Sequence, residues 1–268
     1  MASDLFDRPA MLFLPASRAG AIAKARQSAA DIVVLDLEDA VREEDKVAAR
    51  EAAAAAVAHD AEPWSMPLFI RINGVGTAHH GPDLAAVLHS PVRRVLVPSV
   101  RKAEELHGVA RIVGQPVAAM IETASAVMNI REIAHEASAL VVGTNDLAAE
   151  LRLPPEAGRE ALKTALQLVV LAARAEGKPV FDGVFNRLDD RPGFEVEARE
   201  GRSFGFDGKS LIHPDQIAPC HLAFAPTPDE VARAERLVAA ATGGAERFEG
   251  QMIEQMHVDA ARRLLARH

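Results

Sequence analysis

The sequence has one cysteine, Cys220, among 268 residues, and the lack of a second thiol excludes an internal disulfide framework. Positive charge is in the minority, with 30 Lys and Arg residues against 38 Asp and Glu residues, which excludes a generally basic nucleic-acid binder. No apolar run approaches the roughly 18 residues of a membrane span, and residues 1–8 lack the apolar segment of a signal peptide. We therefore expect a soluble, cytoplasmic protein that binds neither nucleic acid nor membrane. An anionic ligand would need local positive charge.

The sequence does contain a regular alternation of apolar and Ala-rich segments. Eight apolar, β-branched runs are predicted as strands: residues 11–15, 31–37, 67–72, 93–98, 116–121, 139–143, 179–185 and 208–212. Eight helical stretches follow them in turn: residues 17–29, 43–59, 82–88, 103–112, 124–136, 158–176, 193–204 and 214–222. The uninterrupted apolar character of residues 32–35 and 139–142 is typical of strands buried on both faces of a parallel sheet. Eight such units in about 220 residues predict an α/β fold, the TIM (β/α)8 barrel.

The pattern changes after the eighth unit. Pro226 and Pro228 interrupt it, and two further helices are predicted at residues 229–241 and 254–267, on either side of a Gly243-Gly244 joint. We therefore predict a catalytic barrel over residues 1–225. Residues 226–268 would form a helical segment that acts as a lid or as an oligomer contact.

Polar side chains follow nearly every predicted strand, at the end where barrel enzymes carry their active sites. Glu122 and Asp146 end the neighbouring strands five and six. Mg²⁺ prefers oxygen ligands and usually takes one or two protein carboxylates, so this pair predicts a magnesium site. The alternative is that Asp146 caps the helix after it. The matching position of Glu122 favours the metal.

Arg71 ends strand three, which would place a guanidinium beside that metal. Its planar fork suits bidentate binding of a substrate carboxylate. An ion pair with Glu38 or Asp39 is nearly as well supported, and the two roles are compatible. The acids after strand two (Asp36, Glu38 and Asp39) could position Arg71, contact metal-bound water or act as a base, and their spacing leaves these roles open.

Several of these residues fall in motifs that resemble those of a known family. The motifs are, in order, LFLPASR at residues 12–18, LDLEDAV at 35–41, IRIN at 70–73, IETA at 121–124, GTNDL at 143–147 and GFDGK at 205–209. Together they resemble the citrate lyase β-subunit-like branch of the HpcH/HpaI aldolase superfamily. The resemblance extends over essentially the whole chain, including GQMIE at residues 250–254.

This resemblance implies a Mg²⁺-dependent TIM barrel that forms or cleaves carbon–carbon bonds in 3-hydroxyacyl-CoA thioesters, such as citryl-, malyl- or citramalyl-CoA. By the match, Glu122 and Asp146 would bind the metal, with Glu122 also bordering the substrate. Arg71 would hold the substrate carboxylate, and Arg18 would lie near the phosphates of the CoA. A metal and an arginine can together stabilise the enolate that such a cleavage generates.

Three positions depart from the family pattern. Glu38-Asp39 stands where the 2-keto acid aldolases of the superfamily have Glu-His, which favours the thioester branch. Ser99 stands where the family often has Lys, which removes a positive charge. Glu254 stands where relatives have an Asp that serves a neighbouring subunit as acid and base, so its carboxylate is displaced by about one methylene. We therefore expect a homo-oligomer, a trimer or a hexamer, in which Glu254 is either catalytic or simply a solvated helix residue.

The leading hypothesis is a stand-alone lyase for acyl-CoA thioesters, with Arg71, Glu38, Asp39 and Glu254 as its catalytic residues. One alternative is a 2-keto acid aldolase of the same superfamily. Another is a subunit of a multi-protein citrate lyase complex that acts on a protein-bound thioester. A thioesterase or malate-synthase-like side activity also stays open, because an enolate and a thioester share the site.

Overall fold

Eight parallel strands close into a barrel in the order of the sequence. The computed structural model describes residues 3–58, 63–90 and 94–266. The chain divides into two units, Met1–Ala223 and Phe224–His268, and the barrel belongs to the first. The strands are β1 (Ala10–Pro15), β2 (Ile32–Asp36), β3 (Leu68–Arg71), β4 (Val95–Val97), β5 (Ala118–Ile121), β6 (Leu140–Val142), β7 (Val180–Asp182) and β8 (Gly208–Leu211). The predicted TIM barrel is confirmed.

Helices connect the strands, as parallel neighbours require. They are α1 (Ala19–Arg26), α2 (Lys46–Ala56), α3 (His80–Leu88), α4 (Ala103–Val113), α5 (Ala124–Met128), α6 (Ile130–Glu136), α7 (Thr144–Glu150), α8 (Lys163–Ala175), α9 (Arg191–Phe204) and α10 (Ile217–Phe224). The single helix predicted over residues 124–136 is divided at Asn129 into α5 and α6.

The main difference from the predicted elements lies between β6 and β7. The sequence pattern did not indicate α7, which begins directly after β6, and the helix predicted from residue 158 begins at Lys163, after a 3-10 turn at Arg159–Leu162. A helix of two turns is too short to show a clear hydrophobic period. Pro154 and Pro155 then separate it from the next helix.

Alternate residues of the strands fill the interior of the barrel. This cluster comprises Leu5, Met11, Ile32, Val34, Phe69, Leu96, Ala118, Met120, Ala139, Val141 and Phe181, with Phe13 packed against it. The same register continues toward the carboxyl ends of the strands, where Asp36 lies opposite Arg71. The polar end of the barrel therefore lies directly above its apolar interior.

A cluster of buried charges joins β7, β8 and α9 on the outer side of the barrel sheet. The side chains of Lys209 and Asp182 are completely buried and lie 3.1 Å apart. Lys209 Nζ also donates to the carbonyl of Gly183 at 2.6 Å and to Glu197 Oε1 at 2.8 Å. Arg159 Nη2 donates to both carboxylate oxygens of Asp182 at 2.9 Å. Each buried charge thus has an oppositely charged partner, which a buried ion pair requires.

The second unit contains two helices and a short hairpin. They are α11 (Pro228–Ala240), β9 (Glu246–Phe248), β10 (Gln251–Ile253) and α12 (Gln255–Leu265). The two strands pair antiparallel around Glu249 and Gly250, whose φ angles of 47° and 81° suit a tight hairpin turn. The Gly243-Gly244 joint therefore leads into a hairpin that the sequence pattern did not predict. Within the described residues, no helix is long and apolar enough to cross a membrane.

Candidate active site

A cavity of about 440 Å³ lies at the carboxyl ends of the barrel strands. Its lining residues come from loops and strands all around the barrel: Phe13, Leu14, Pro15, Arg18, Asp36, Asp39, Ala40, Arg71, Met120, Val142, Gly143, Thr144, Asn145, Asp146, Val184, Asn186, Ser210 and Ile212. This is the end of the barrel at which the sequence predicted the site. Four of the predicted site residues are among these residues, namely Arg18, Asp39, Arg71 and Asp146.

Arg71 is the centre of the charge network in this cavity. Its Nε and Nη2 donate to the two oxygens of Asp36 at 2.7 and 2.6 Å, a bidentate pair that is nearly closed to solvent. Its Nη1 lies 2.9 Å from Glu38 Oε2, without the geometry of a hydrogen bond, and 3.7 Å from Asp39 Oδ2. Burial alone would lower the pKa of Arg71, but these carboxylates, Asp36 foremost, raise it. Arg71 therefore stays charged, with its Nη1 end turned toward Glu38 and Asp39.

Lys46 holds the acid loop, which comprises residues 36–39 at the end of β2, by buried hydrogen bonds. Its buried Nζ donates three hydrogen bonds of 2.8 Å, to the carbonyls of Leu37 and Glu38 and to Asn73 Oδ1. Asn73 in turn donates from its side chain to the Leu37 carbonyl at 2.9 Å and to Asp83 at 2.6 Å. The segments that carry Glu38 and Arg71 are thereby joined through one ammonium group.

Glu122 follows β5 and is 2% exposed. Its Oε1 accepts from the backbone N–H of Ser99 at 2.5 Å, and Ser99 adopts a φ of 50°. Its Oε2 is buried and has no hydrogen-bond partner among the described residues. A Cβ built on Gly143 would overlap the Glu122 carboxylate and would lie 2.6 Å from Glu122 Cβ. Ser99 and Gly143 thus fix the Glu122 carboxylate, and its Oε2 keeps its lone pairs free of hydrogen bonds from the described residues.

The carboxylates are crowded enough to shift one another's ionisation. Burial raises the pKa of Glu122 to about 7, against the Ser99 hydrogen bond and the Arg71 charge, and with a contribution from Asp146. Burial also raises the pKa of Glu38 to about 8, although the Arg71 charge opposes the shift. The pKa of Asp146 is raised by burial and then by the charge of Asp39. A cluster of acids with raised pKa values indicates a site that favours added positive charge.

The donors around Glu122 and Asp146 fit a small divalent cation. Asp146 lies in the first turn of α7, whose N-cap is Gly143, so the alternative of a capping aspartate is not what the structure shows. Within the part of the chain that is described, no group of three or more His, Cys, Asp or Glu side chains is arranged for a metal. Two carboxylates, one with an orphaned buried oxygen, match the one or two protein ligands that Mg²⁺ usually takes.

Two other predicted residues have different surroundings. Arg18 is exposed at the N-cap of α1 and lines the cavity, as a contact for an anionic ligand requires. Glu254 is exposed and is the N-cap of α12 in the second unit, with its backbone N–H donating to His257 Nδ1 at 2.9 Å. The helix predicted to begin at Glu254 therefore begins one residue later, at Gln255.

The sequence left open which acid holds Arg71 and did not indicate the roles of three supporting residues. It offered an ion pair with Glu38 or Asp39 and a positioning role for Asp36 as well. The bidentate partner is Asp36, because the register of β2 against β3 sets it opposite Arg71. The sequence analysis considered only the side chain at Ser99, where the family often has Lys. In the structure the backbone N–H of Ser99 contacts Glu122. For Gly143 and Lys46, the available signals were a glycine at a strand end and a lysine at the start of a helix.

The model of the HpcH/HpaI aldolase/citrate lyase family matches residues 9–214 of this chain. The (3S)-malyl-CoA thioesterase of Cereibacter sphaeroides is 37% identical over 266 residues, which cover 96% of this chain and 93% of the relative. A citrate lyase subunit beta-like protein of Deinococcus radiodurans is 36% identical and covers 96% of this chain and 95% of its own length.

Solved structures are similar over the same length. The crystal structure of CitE from Mycobacterium tuberculosis, in complex with magnesium, acetoacetate and coenzyme A, superimposes with a TM-score of 0.87. It is 34% identical to this chain, and the match covers 97% of both chains. Another structure from that organism, a citrate lyase beta subunit complexed with oxaloacetate and magnesium, has a TM-score of 0.75 and 33% identity, and the match covers 84% of this chain and 100% of that one.

Proposed function

The chain belongs to the HpcH/HpaI aldolase/citrate lyase family, and from this premise we propose that it is a Mg²⁺-dependent carbon–carbon lyase. Its substrate would be a 3-hydroxyacyl-CoA thioester such as citryl-, malyl- or citramalyl-CoA. The observation that carries the proposal is the orphaned oxygen of Glu122, whose carboxylate is fixed by Ser99 and Gly143. The charges of Arg71 and Asp146, which line the cavity, act on this carboxylate. Similar structures that contain magnesium support the same metal here.

Glu122 and Asp146 would hold the metal, which supplies positive charge for substrate oxygens. The Nη1 end of Arg71 would bind a substrate carboxylate, in exchange for its ion pair with Glu38. Glu38 or Asp39, thus displaced, would act as the base that takes the 3-hydroxyl proton, and their proximity to Nη1 of Arg71 supports this role. Loss of that proton breaks the C2–C3 bond, and the electron pair passes to the thioester as an enolate. Arg18, at the edge of the cavity, would contact the phosphates of the CoA.

Glu254 would return a proton to C2 of the enolate. This role requires an oligomer in which the second unit of one chain reaches the site of another. The resemblance of the tail at residues 250–254 supports it.

Hydrolysis of the thioester is a second candidate function. It is favoured by one specific observation, the (3S)-malyl-CoA thioesterase that is 37% identical over nearly the whole chain. In that reaction, water attacks the thioester carbonyl and CoA leaves as the thiol. Both reactions place negative charge on the thioester oxygen, so the same cavity can serve either.

The products decide between the two candidates. The purified protein is incubated with Mg²⁺ and each of citryl-, malyl- and citramalyl-CoA, and free thiol, 2-oxo acid and acyl-CoA are measured. A lyase yields equal amounts of acetyl-CoA and a 2-oxo acid without free thiol, whereas a thioesterase yields free CoA and the hydroxy acid. Both activities should disappear in Glu122→Gln, which keeps the size of the side chain. A protein that forms neither set of products from any of the three thioesters would contradict the proposal.

A further inference from the structure

Ser210 is a buried side chain that the proposed reaction does not yet use. It belongs to β8, is 2% exposed and lines the cavity of the candidate active site. Its Oγ is buried and has no hydrogen-bond partner in the described ranges of the chain. The other orphaned side-chain oxygens are Glu38 Oε2 and Glu122 Oε2, and both belong to the charge network of that cavity. Ser210 and Arg71 line the cavity, Glu38 Oε2 lies 2.9 Å from Arg71 Nη1, and the charge of Arg71 also acts on Glu122.

The register of the barrel shows that Ser210 faces inward. Ser210 pairs with Met11, and Met11 is part of the cluster that fills the barrel interior. The preceding residue, Lys209, takes the opposite side of the sheet, where it pairs with Asp182. One residue further along the same register, the position opposite Ser210 is Gly183, which has no side chain to cover the hydroxyl.

The part of the cavity wall that β1 and β8 form is apolar apart from Ser210. The cavity residues that β1, β8 and the position after β8 contribute are Phe13, Leu14, Pro15, Ser210 and Ile212. Only Ser210 among these five has a side chain that can form a hydrogen bond. The strands follow sequence order around the closed barrel, so β8 is two strands from β6, which Asp146 follows, and three strands from both β5, which Glu122 follows, and β3, which Arg71 ends. A ligand held by Glu122, Asp146 and Arg71 therefore lies at the end of the barrel that Ser210 also borders.

A buried hydroxyl without a partner destabilises the folded protein, because it loses its hydrogen bonds to water and gains none. Alanine at this position would pack equally well without that cost. Since the hydroxyl adjoins the cavity, a ligand atom is the partner that accounts for it. Rotation about the single χ1 bond of serine is enough to turn the hydroxyl.

We propose that Ser210 is a substrate-binding residue that donates a hydrogen bond to an oxygen atom of the bound acyl group. This inference rests on the proposed function, since it takes the acyl group to lie between the carboxylate pair and the wall formed by β8 and β1. An acyl group with an oxygen at this position is then preferred over one with a methyl group there.

The test compares folding and binding in Ser210→Ala. Without ligand, the variant is expected to melt at the same temperature as the wild type or higher, because no protein hydrogen bond is lost. With Mg²⁺ present, its affinity for oxaloacetate, measured by calorimetry, should fall roughly five- to tenfold, the effect of one hydrogen bond. The affinity for Mg²⁺ alone should not change, because Glu122 and Asp146 are untouched.

Ser28→Ala is the matched control. The Ser28 hydroxyl donates to the Ala25 carbonyl at 2.7 Å and accepts from the Ala30 N–H, far from the cavity residues in the fold. Its loss should lower the melting temperature and leave the affinity for oxaloacetate unchanged. Ser210→Cys, which keeps a weak donor of similar size, should bind oxaloacetate with an intermediate affinity and serves if the alanine variant does not fold.

Equal oxaloacetate affinity in wild type and Ser210→Ala would overturn the inference and leave the proposed function intact. A clear fall in the melting temperature of Ser210→Ala would also overturn it, since the hydroxyl would then have a protein partner. Failure of the wild type to bind any of oxaloacetate, glyoxylate and pyruvate with Mg²⁺, the 2-oxo acids that the three thioesters release, would contradict the proposed function, and the inference would fall with it.

Discussion

Gly143 leaves the space that the Glu122 carboxylate occupies. A methyl group at Gly143 would overlap that carboxylate and approach Glu122 Cβ to 2.6 Å, so any side chain at position 143 requires Glu122 to move. The segments that follow the neighbouring strands β5 and β6 thus shape the surroundings of the proposed metal ligand Glu122. Two predictions concern Glu122 directly.

The first prediction is that Gly143→Ala displaces Glu122 and weakens Mg²⁺ binding at least about tenfold. Overpacking of this kind also costs roughly 1–3 kcal/mol of stability. Calorimetry and thermal melting measure the two effects. Gly108→Ala is the control, because Gly108 lies in α4 with nothing within 4 Å of the added methyl group. That change should be neutral or slightly stabilising. Normal Mg²⁺ affinity in Gly143→Ala would remove Gly143 from the site.

The second prediction concerns pH. The folded protein raises the pKa of Glu122 to about 7 and that of Glu38 to about 8, so it binds more protons than the unfolded chain above pH 4.5. The stability that these groups contribute is complete below their unfolded pKa and is lost as the pH rises through 7 and 8. The metal-free protein should therefore lose stability as the pH rises from 4.5 to about 8, while the stabilisation by Mg²⁺ grows. Melting curves with EDTA or Mg²⁺ at pH 5.5 and 8.5 test this, and a larger Mg²⁺ effect at pH 5.5 would disprove it.

The third prediction is that Arg71→Lys is not a conservative change. Lysine keeps the charge but loses the fork that binds Asp36 through two hydrogen bonds and directs Nη1 into the cavity. We expect kcat/KM for the preferred thioester to fall by a factor of ten or more, about 1.4 kcal/mol. Steady-state kinetics provide the measurement. Wild-type efficiency in the lysine variant would show that the guanidinium is not a carboxylate clamp.

The fourth prediction is that Lys46 positions the acid loop. Lys46→Met removes three hydrogen bonds to Leu37, Glu38 and Asn73. Turnover should fall at least about tenfold while Mg²⁺ affinity changes little, because the proposed metal ligands, Glu122 and Asp146, follow β5 and β6. Lys163→Met is the matched control, since Lys163 also begins a helix after a 3-10 turn but pairs with Glu160 and Glu200 near the surface.

The coupling between Lys46 and Glu38 can be measured separately. If Lys46 acts through Glu38, then Lys46→Met should add little to the loss already caused by Glu38→Gln. If the activity losses of Lys46→Met and Glu38→Gln simply multiply in the double variant, Lys46 does not act through Glu38 and has a structural role alone.

The fifth prediction tests whether sites are shared between subunits. Glu254→Gln should leave folding and Mg²⁺ binding intact and lower turnover, since only a proton transfer is lost. Mixing the inactive Glu254→Gln and Glu122→Gln proteins should then restore part of the activity, because some mixed sites contain both groups. Normal turnover in Glu254→Gln would identify Glu254 as a solvated helix residue, and a lack of restored activity would count against sharing.

The barrel could be predicted from the sequence because seven of its strands are short runs that consist mainly of buried apolar residues, and all eight overlap the predicted strands. The elements that were missed are short. α7 spans seven residues, and β9 and β10 span three residues each around a Glu-Gly turn, which lacks the Asn-Gly or Asp-Gly signal of common hairpins.

The candidate site could be predicted only as a set of residues at one end of the barrel. Which acid holds Arg71 depends on the register between β2 and β3, and a sequence does not determine register without its partner strand. The orphaned oxygen of Glu122 results from the course of the backbone at Ser99 and Gly143, which no residue pattern describes. The inward orientation of Ser210 could not be predicted either, because it depends on the register of β8 against β1.

The buried pair of Lys209 and Asp182 limits which substitutions this chain can accept. With both side chains completely buried, loss of either one leaves the other with a single ion partner in place of two, Arg159 for Asp182 or Glu197 for Lys209. Replacement of both by apolar residues of similar volume is far less harmful, although Arg159 and Glu197 would then lose a partner. Descendants of this chain should therefore keep both residues or exchange both, and lineages that carry only one of the two should be rare.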